Sequence, residues 1–162
     1  MATLFKTIET QILSQGLSIA SFDLERPWGG FFVLEEKDSQ RFSDIYFEGF
    51  DVASLRKAGK LSPKILLVKP QARLSWQYHH RRAETWRVIQ GPVGVIRSFN
   101  DVENQLENCA VGKTITLKKG ERHRLVGLDS WGVVAEFWQH TDANSPSNEQ
   151  DIVRLQDDYA RE

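Results

Sequence analysis

Apolar residues recur in short extended runs over most of this chain, while residues 3–15 follow a helical period. There Leu4, Phe5, Ile8 and Ile12 fall on one stripe, Lys6, Glu9 and Gln11 lie elsewhere, and Gly16 offers a stop. Arg26-Pro27-Trp28-Gly29-Gly30 reads as a turn that feeds an apolar strand, Phe31 to Leu34. Residues 38–58 carry two competing patterns: Phe42, Ile45 and Tyr46 have helical spacing, whereas Phe47 to Phe50 fits an extended segment. From Ser62 onward the pattern predicts strands at Lys64–Val68, Arg73–His79, Glu84–Gln90, Val93–Ser98, Lys113–Leu117, Arg122–Gly127 and Val133–His140. These runs are rich in Val, Ile, Leu, Trp and Thr, and turn residues such as Gln90-Gly91-Pro92-Val93-Gly94 separate most of them. Many short strands without long intervening helices predict an all-β antiparallel sandwich or jelly-roll barrel.

The tail after Asn144 is polar and acidic, yet Ile152, Val153, Leu155 and Tyr159 can dock it on the body. No repeat or low-complexity tract divides the chain. The expected organisation is one domain over residues 1–162: an N-terminal helical extension (1–25), a barrel (26–143) and a docked tail (144–162).

Charge and composition exclude several classes. The formal net charge is -1, with basic and acidic residues interspersed, so neither nucleic acid nor an anionic membrane is an expected partner. The single cysteine, Cys109, can form neither an internal disulfide nor a thiolate zinc site and reads as an inert strand residue. No apolar run approaches the ~20 residues that span a bilayer. A basic segment followed by an apolar core is missing from the N-terminus, so a cytoplasmic protein is expected.

The chemistry concentrates in Gln77-Tyr78-His79-His80-Arg81-Arg82-Ala83-Glu84 and, far downstream, Gly120-Glu121-Arg122-His123. In an extended strand Gln77 and His79 share one face, and Tyr78 and His80 the other. A tight turn after His79 can return Glu84 to the same place, and His123 can close the set from another strand. Two imidazoles, an amide oxygen and a carboxylate suit zinc and the later first-row metals. They cancel only one of a divalent ion's two charges, which leaves it a Lewis acid able to polarise a carbonyl. The bland alternative is a set of surface polar residues and one core histidine; the joint spacing favours the metal.

The run from Arg73 to Trp86, then Gly91, then Gly120-Glu121-Arg122-His123-Arg124-Leu125, resembles the two cupin motifs. More narrowly it is similar to the type II phosphomannose isomerase module found at the C-terminus of bifunctional mannose-1-phosphate guanylyltransferases. Arg26-Pro27-Trp28-Gly29 and the segments Asp151–Arg154 and Asp157–Arg161 resemble that module's outer parts, so the likeness covers roughly residues 26–161. It implies a cupin double-stranded β-helix with a short N-terminal helix and minor helical insertions. It also implies Gln77, His79, Glu84 and His123 as metal ligands, Gln standing where many cupins have His.

The expected function is aldose–ketose isomerisation of a sugar phosphate, mannose 6-phosphate to fructose 6-phosphate, through an enediolate. Zn²⁺ is the first choice of cofactor, with Mn²⁺, Fe²⁺, Co²⁺ or Ni²⁺ as alternatives. Arg154, from the family-like tail, is expected to hold the phosphate or an oxyanion, and Arg73 to line the same mouth. Lys69, Arg82, Arg122 and Arg124 are expected in solvent, His80 on the surface, and Trp86, Trp131 and Trp138 in the core. A non-catalytic sugar-phosphate-binding cupin and a metal-dependent dioxygenase are the rivals, and a homodimer is an expected assembly.

The chain departs from the family at three places: Pro70-Gln71 replaces Pro-Gly, Arg81 the third of three histidines, and Tyr159-Ala160-Arg161 the usual Tyr-Gly-Arg. It also lacks a G-x-x-x-x-G-K-[ST] phosphate loop, so the resemblance is to an isolated module.

Overall fold

The computed structural model describes residues 2–52 and 60–159. Two antiparallel sheets face each other, as the strand pattern predicts. The larger has the order β1-β2-β3-β10-β5-β8, built from Ile19–Arg26, Gly29–Leu34, Lys64–Val68, Gly132–His140, Arg82–Gln90 and Thr114–Leu117. The smaller has the order β11-β4-β9-β6-β7, from Val153–Gln156, Trp76–Tyr78, Arg122–Gly127, Val93–Ser98 and Glu107–Cys109. Helix α1 (Ala2–Ser14), a 3₁₀ turn (Glu36–Asp38) and helix α2 (Ser39–Tyr46) complete the described elements.

The middle of the larger sheet is covered on both faces, which explains why β3 and β10 read as continuous apolar runs. Ile65 and Leu67 of β3, and Val133, Ala135 and Phe137 of β10, pack outward against Phe5, Ile8 and Ile12 of α1 and Phe42 of α2. The alternate residues Leu66, Val68 and Val134 turn inward and meet Trp86, Val88, Val95, Ile115 and Leu125 between the sheets. Cys109 belongs to this inner cluster, and burial pushes its thiol above the usual value. It is an inert packing residue, as expected.

Several expectations need correction. Residues 19–25, assigned to a helical extension, form with Arg26 the edge strand β1 paired with β2. Its side chains are half-buried or exposed, so its periodicity is weak. Between residues 39 and 46 the helical pattern wins, while Phe47 to Phe50 is neither helix nor strand; residues 53–59 lie outside the described residues. The tail contributes a strand, β11, hydrogen-bonded to β4. Trp86 and Trp138 are buried as expected, whereas Trp131 is half-buried and sits edge-on to Phe5 at 5.5 Å.

Gln71 takes the position of the family's glycine and adopts a left-handed φ of 64°. Its amide side chain donates to the Leu128 carbonyl (3.0 Å) and the Asp129 carboxylate (3.1 Å), which offsets the conformational cost.

Phe47 clamps α2 to the sheet, its fully buried ring edge-on to Phe137 at 4.6 Å. Phe47→Ala is expected to destabilise the protein by about 3–5 kcal/mol through lost burial and a residual cavity. A drop in the urea midpoint with unchanged slope would register this.

Candidate metal centre

Three of the four expected donors converge on one point between the sheets. Strand β4 ends at Tyr78, and the turn through His79 leads into β5, which carries Glu84. Strand β9 brings His123 directly opposite Gln77. The turn before β9 needs Gly120, whose φ of 78° suits glycine, and the Gly120 amide donates to the His79 carbonyl at 3.0 Å. The ligand atoms of His79, Glu84 and His123 lie within 4.8 Å of one another, and all three residues are buried.

The orientation of the imidazoles is fixed from behind. His79 Nδ1 is 2.7 Å from the Asp151 carbonyl, and His123 Nδ1 is 3.0 Å from the Glu121 carbonyl. A carbonyl oxygen only accepts, so each Nδ1 carries the proton and each Nε2 presents a lone pair. Those lone pairs face the carboxylate: His79 Nε2 is 3.4 Å from Glu84 Oε2, and His123 Nε2 is 3.3 Å from Oε1. His123 Nε2 is buried without a hydrogen-bond partner.

Burial lowers the His79 imidazole to about 4, with His123 and Arg82 pushing the same way against the attraction of Glu84. Burial opposes ionisation of Glu84, but His79, Arg82 and His123 outweigh it and hold that carboxyl well below its ordinary value. At neutral pH the centre is therefore a neutral His79 imidazole beside an ionised carboxylate. Three lone-pair donors aimed at one point fit a metal ion.

Gln77 shares the cavity with Glu84, and its Oε1 accepts from the Ser75 hydroxyl at 2.6 Å. Register places Arg154, Gln77 and His123 in one row across β11, β4 and β9. Cross-strand partners in such a ladder share a face, so Arg154 stands at the mouth above Gln77. The cavity measures about 170 Å³, and its lining includes Arg26, Trp28, Lys64, Gln77, Glu84 and Arg154.

Three arginine expectations are overturned. Arg82 is 6 % exposed, not solvated. It donates to Glu84 Oε2 (3.0 Å), the Ser147 hydroxyl (3.0 Å) and the Asn148 carbonyl (2.9 Å), and lies 3.8 Å from the Trp138 ring centre. Arg124, also expected in solvent, is 1 % exposed and hydrogen-bonded to the Leu74 carbonyl, Glu103 and Gln156. Arg73 does not line the cavity; it makes a two-pronged ion pair with Asp158 at 2.6 and 2.9 Å. That carboxylate, held at about 2 by the Arg73 hydrogen bond, claims the guanidinium from the tail side. His80 is exposed, as its strand face predicts.

The residue sequence reasoning undervalued most is Asp151. Besides orienting His79 through its carbonyl, its carboxylate accepts from the amides of His80 (2.9 Å) and Arg81 (3.0 Å) and from the Ser147 hydroxyl (2.6 Å). Arg81 in turn donates to the Pro146 carbonyl, so the replacement of histidine there ties the turn to the tail. The sole sequence signal was the family-like segment around Asp151.

Comparisons with known proteins agree with this geometry. The fold is a cupin barrel, and the capsular polysaccharide assembling protein CapF from Staphylococcus aureus matches it over 84% of this chain and 34% of its own, with a TM-score of 0.55 at 14% identity. KdgF from Halomonas sp. matches 80% of this chain and 88% of its own, with a TM-score of 0.52 at 12% identity. Residues 36–157 match the family model "Mannose-6-phosphate isomerase C-terminal", and the chain belongs to that family. The xanthan biosynthesis protein XanB of Xanthomonas campestris pv. campestris is 30% identical over 161 residues, covering 96% of this chain. The alginate biosynthesis protein AlgA of Pseudomonas aeruginosa is 31% identical over 127 residues, covering 76%. The chain spans only 28% and 24% of those two relatives.

Asp151→Asn is expected to cost about 1.5–3 kcal/mol at pH 7, the usual worth of charge-assisted hydrogen bonds. Burial raises the Asp151 carboxyl, but the Ser147 hydroxyl and the His80 and Arg81 amides outweigh it and hold it below 3.8. Its contribution is thus complete above the unfolded value and fades as pH falls through the folded one. Urea titrations of both proteins should give curves that converge below about pH 3.8.

Proposed function

We propose that this protein is a metal-dependent aldose–ketose isomerase acting on a sugar phosphate, with mannose 6-phosphate to fructose 6-phosphate as the first candidate reaction. The carrying observation is the pair of Nδ1-bonded imidazoles that aim their Nε2 lone pairs at the Glu84 carboxylate. Membership of the mannose-6-phosphate isomerase C-terminal family supports the same reading. His79, Glu84 and His123, with Gln77 beside them, would hold the ion, and two imidazole nitrogens with carboxylate and amide oxygens suit Zn²⁺ or another of the later first-row divalent metals. When bound, such an ion polarises the C1 and C2 oxygens of an open-chain sugar and stabilises the negative charge that develops on them.

The remaining work falls to the chain. Arg154, Arg26 and Lys64 surround the mouth and supply positive charge for a phosphate, with the Arg154 guanidinium able to grip two of its oxygens. Trp28, Phe31 and Leu74 form apolar walls that exclude water from the sugar carbons. Arg82 keeps Glu84 ionised and positioned.

Incubation with mannose 6-phosphate should yield fructose 6-phosphate, cease with a chelator and resume on adding Zn²⁺ or another divalent ion. Saturable sugar-phosphate binding without turnover would instead identify a binding protein, and substrate-dependent oxygen uptake a dioxygenase. Gln77→Ala and His123→Ala should lower metal content with the barrel still folded, as judged by metal analysis and circular dichroism. Arg154→Ala should retain the metal but lose about 10–100-fold in kcat/KM, the equivalent of one charge-assisted contact; unchanged kinetics would rule out a role for Arg154.

A further inference from the structure

One buried carboxylate in the cavity has no part in holding the metal. Glu136 lies on β10 two residues after Val134, which turns into the barrel, and it lines the cavity with Glu84. Register sets Glu136 opposite Trp86 and Trp138 opposite Glu84. The two carboxylates are therefore diagonal neighbours on one face of adjacent strands, roughly 7–8 Å apart at the backbone. Glu136 is 6 % exposed, and the Trp86 indole donates to its Oε2 at 3.0 Å. That bond fixes the carboxylate plane and leaves Oε1 for a ligand. The same indole stands edge-on to His123 at 5.6 Å, so one side chain braces both the metal set and this acid.

An apolar residue here would cost less, because burying a carboxyl group carries a desolvation penalty. Its place on the cavity wall, with one oxygen held by the Trp86 indole, puts a carboxylate where it can both take a proton from a bound ligand and return it. Other cavity carboxylates are less suited. Glu84 is committed to two imidazoles and Arg82. Glu149 is 72% exposed and pairs with Lys64 at 3.0 Å.

We propose that Glu136 is the catalytic residue that carries the proton between C2 and C1 of the bound sugar. This rests on the isomerase reading above. The Glu136 carboxylate takes the hydrogen of C2 as a proton, and the C–H electron pair becomes the C1=C2 double bond while O1 takes the negative charge. The O2 hydroxyl proton passes to O1. Electrons on O2 then form the C2 carbonyl, the double-bond pair takes the proton back from Glu136 at C1, and the acid is again a carboxylate. Nothing is gained or lost beyond the two protons that move.

The test is proton NMR of mannose 6-phosphate in D₂O with the zinc-loaded full chain, beside Glu136→Gln and Glu136→Asp. Glutamine keeps the Trp86 bond through its amide oxygen. Turnover and solvent exchange in Glu136→Gln should both fall about 10²–10⁴-fold, the usual worth of a positioned base, with metal content and KM within about twofold of the parent. Glu136→Asp, one methylene shorter, should exceed Glu136→Gln at least tenfold. Exchange in Glu136→Gln within threefold of the parent would overturn the assignment while leaving the isomerase reading intact. If Glu136→Gln loses its fold or metal, Glu136→Asp decides. Loss of exchange there larger than threefold, with metal and KM retained, supports the role, and exchange within threefold of the parent removes it. Failure of the parent protein to convert mannose 6-phosphate or any other aldohexose phosphate, metal loaded, overturns both readings together.

Discussion

The structure depends on where two protons sit. Backbone carbonyls of Asp151 and Glu121 claim the Nδ1 hydrogens of His79 and His123, and so force both Nε2 lone pairs toward Glu84. Lone pairs at 3.3–3.4 Å from a carboxylate repel it, and the Arg82 guanidinium, 3.0 Å from Glu84 Oε2 and 3.4 Å from His79 Nε2, offsets only part of that repulsion. The arrangement persists because its supports lie outside it: the Gly120 turn hung on the His79 carbonyl, and Asp151 clamping the turn after His79. Arg82 contributes the only guanidinium hydrogen-bonded to Glu84 among the described residues. The scaffold is thus built around a positive charge.

The larger sheet makes this possible by burying both faces of its central strands β3 and β10. Helices α1 and α2 absorb the outward residues of β3 and β10, which frees the inward ones to vary with depth. Deep in the barrel these are Val, Leu and Trp; nearer the mouth they become Glu84, Glu136 and Arg82. A gradient from apolar floor to charged rim lets ionised groups sit in low-dielectric surroundings while reaching a ligand from solvent.

Much of this was legible in the sequence because its signals are local. Period-two spacing placed Gln77 and His79 on one face, short apolar runs marked most strands, and Gly120 announced the turn before His123. The residues that escaped depend on tertiary pairing. Arg82 and Arg124 look like solvent cations until the tail and the 103 region supply their acceptors. Arg73 shares the parity of Gln77, but Asp158 draws it away from the cavity. Glu136 left one faint trace, a single acid in a run otherwise apolar on both faces. Strand β1 left almost none, since an exposed edge has no buried stripe to betray it.

The Asp151 clamp has a consequence for biogenesis. Seventy-two positions separate His79 from the carbonyl that orients it, so a ribosome finishes Glu84 and His123 well before that carbonyl emerges. Until then the first imidazole is free to flip or change tautomer. On the proposal that a metal binds here, loading during synthesis would meet an incomplete ligand set and would follow the pairing of β11 with β4.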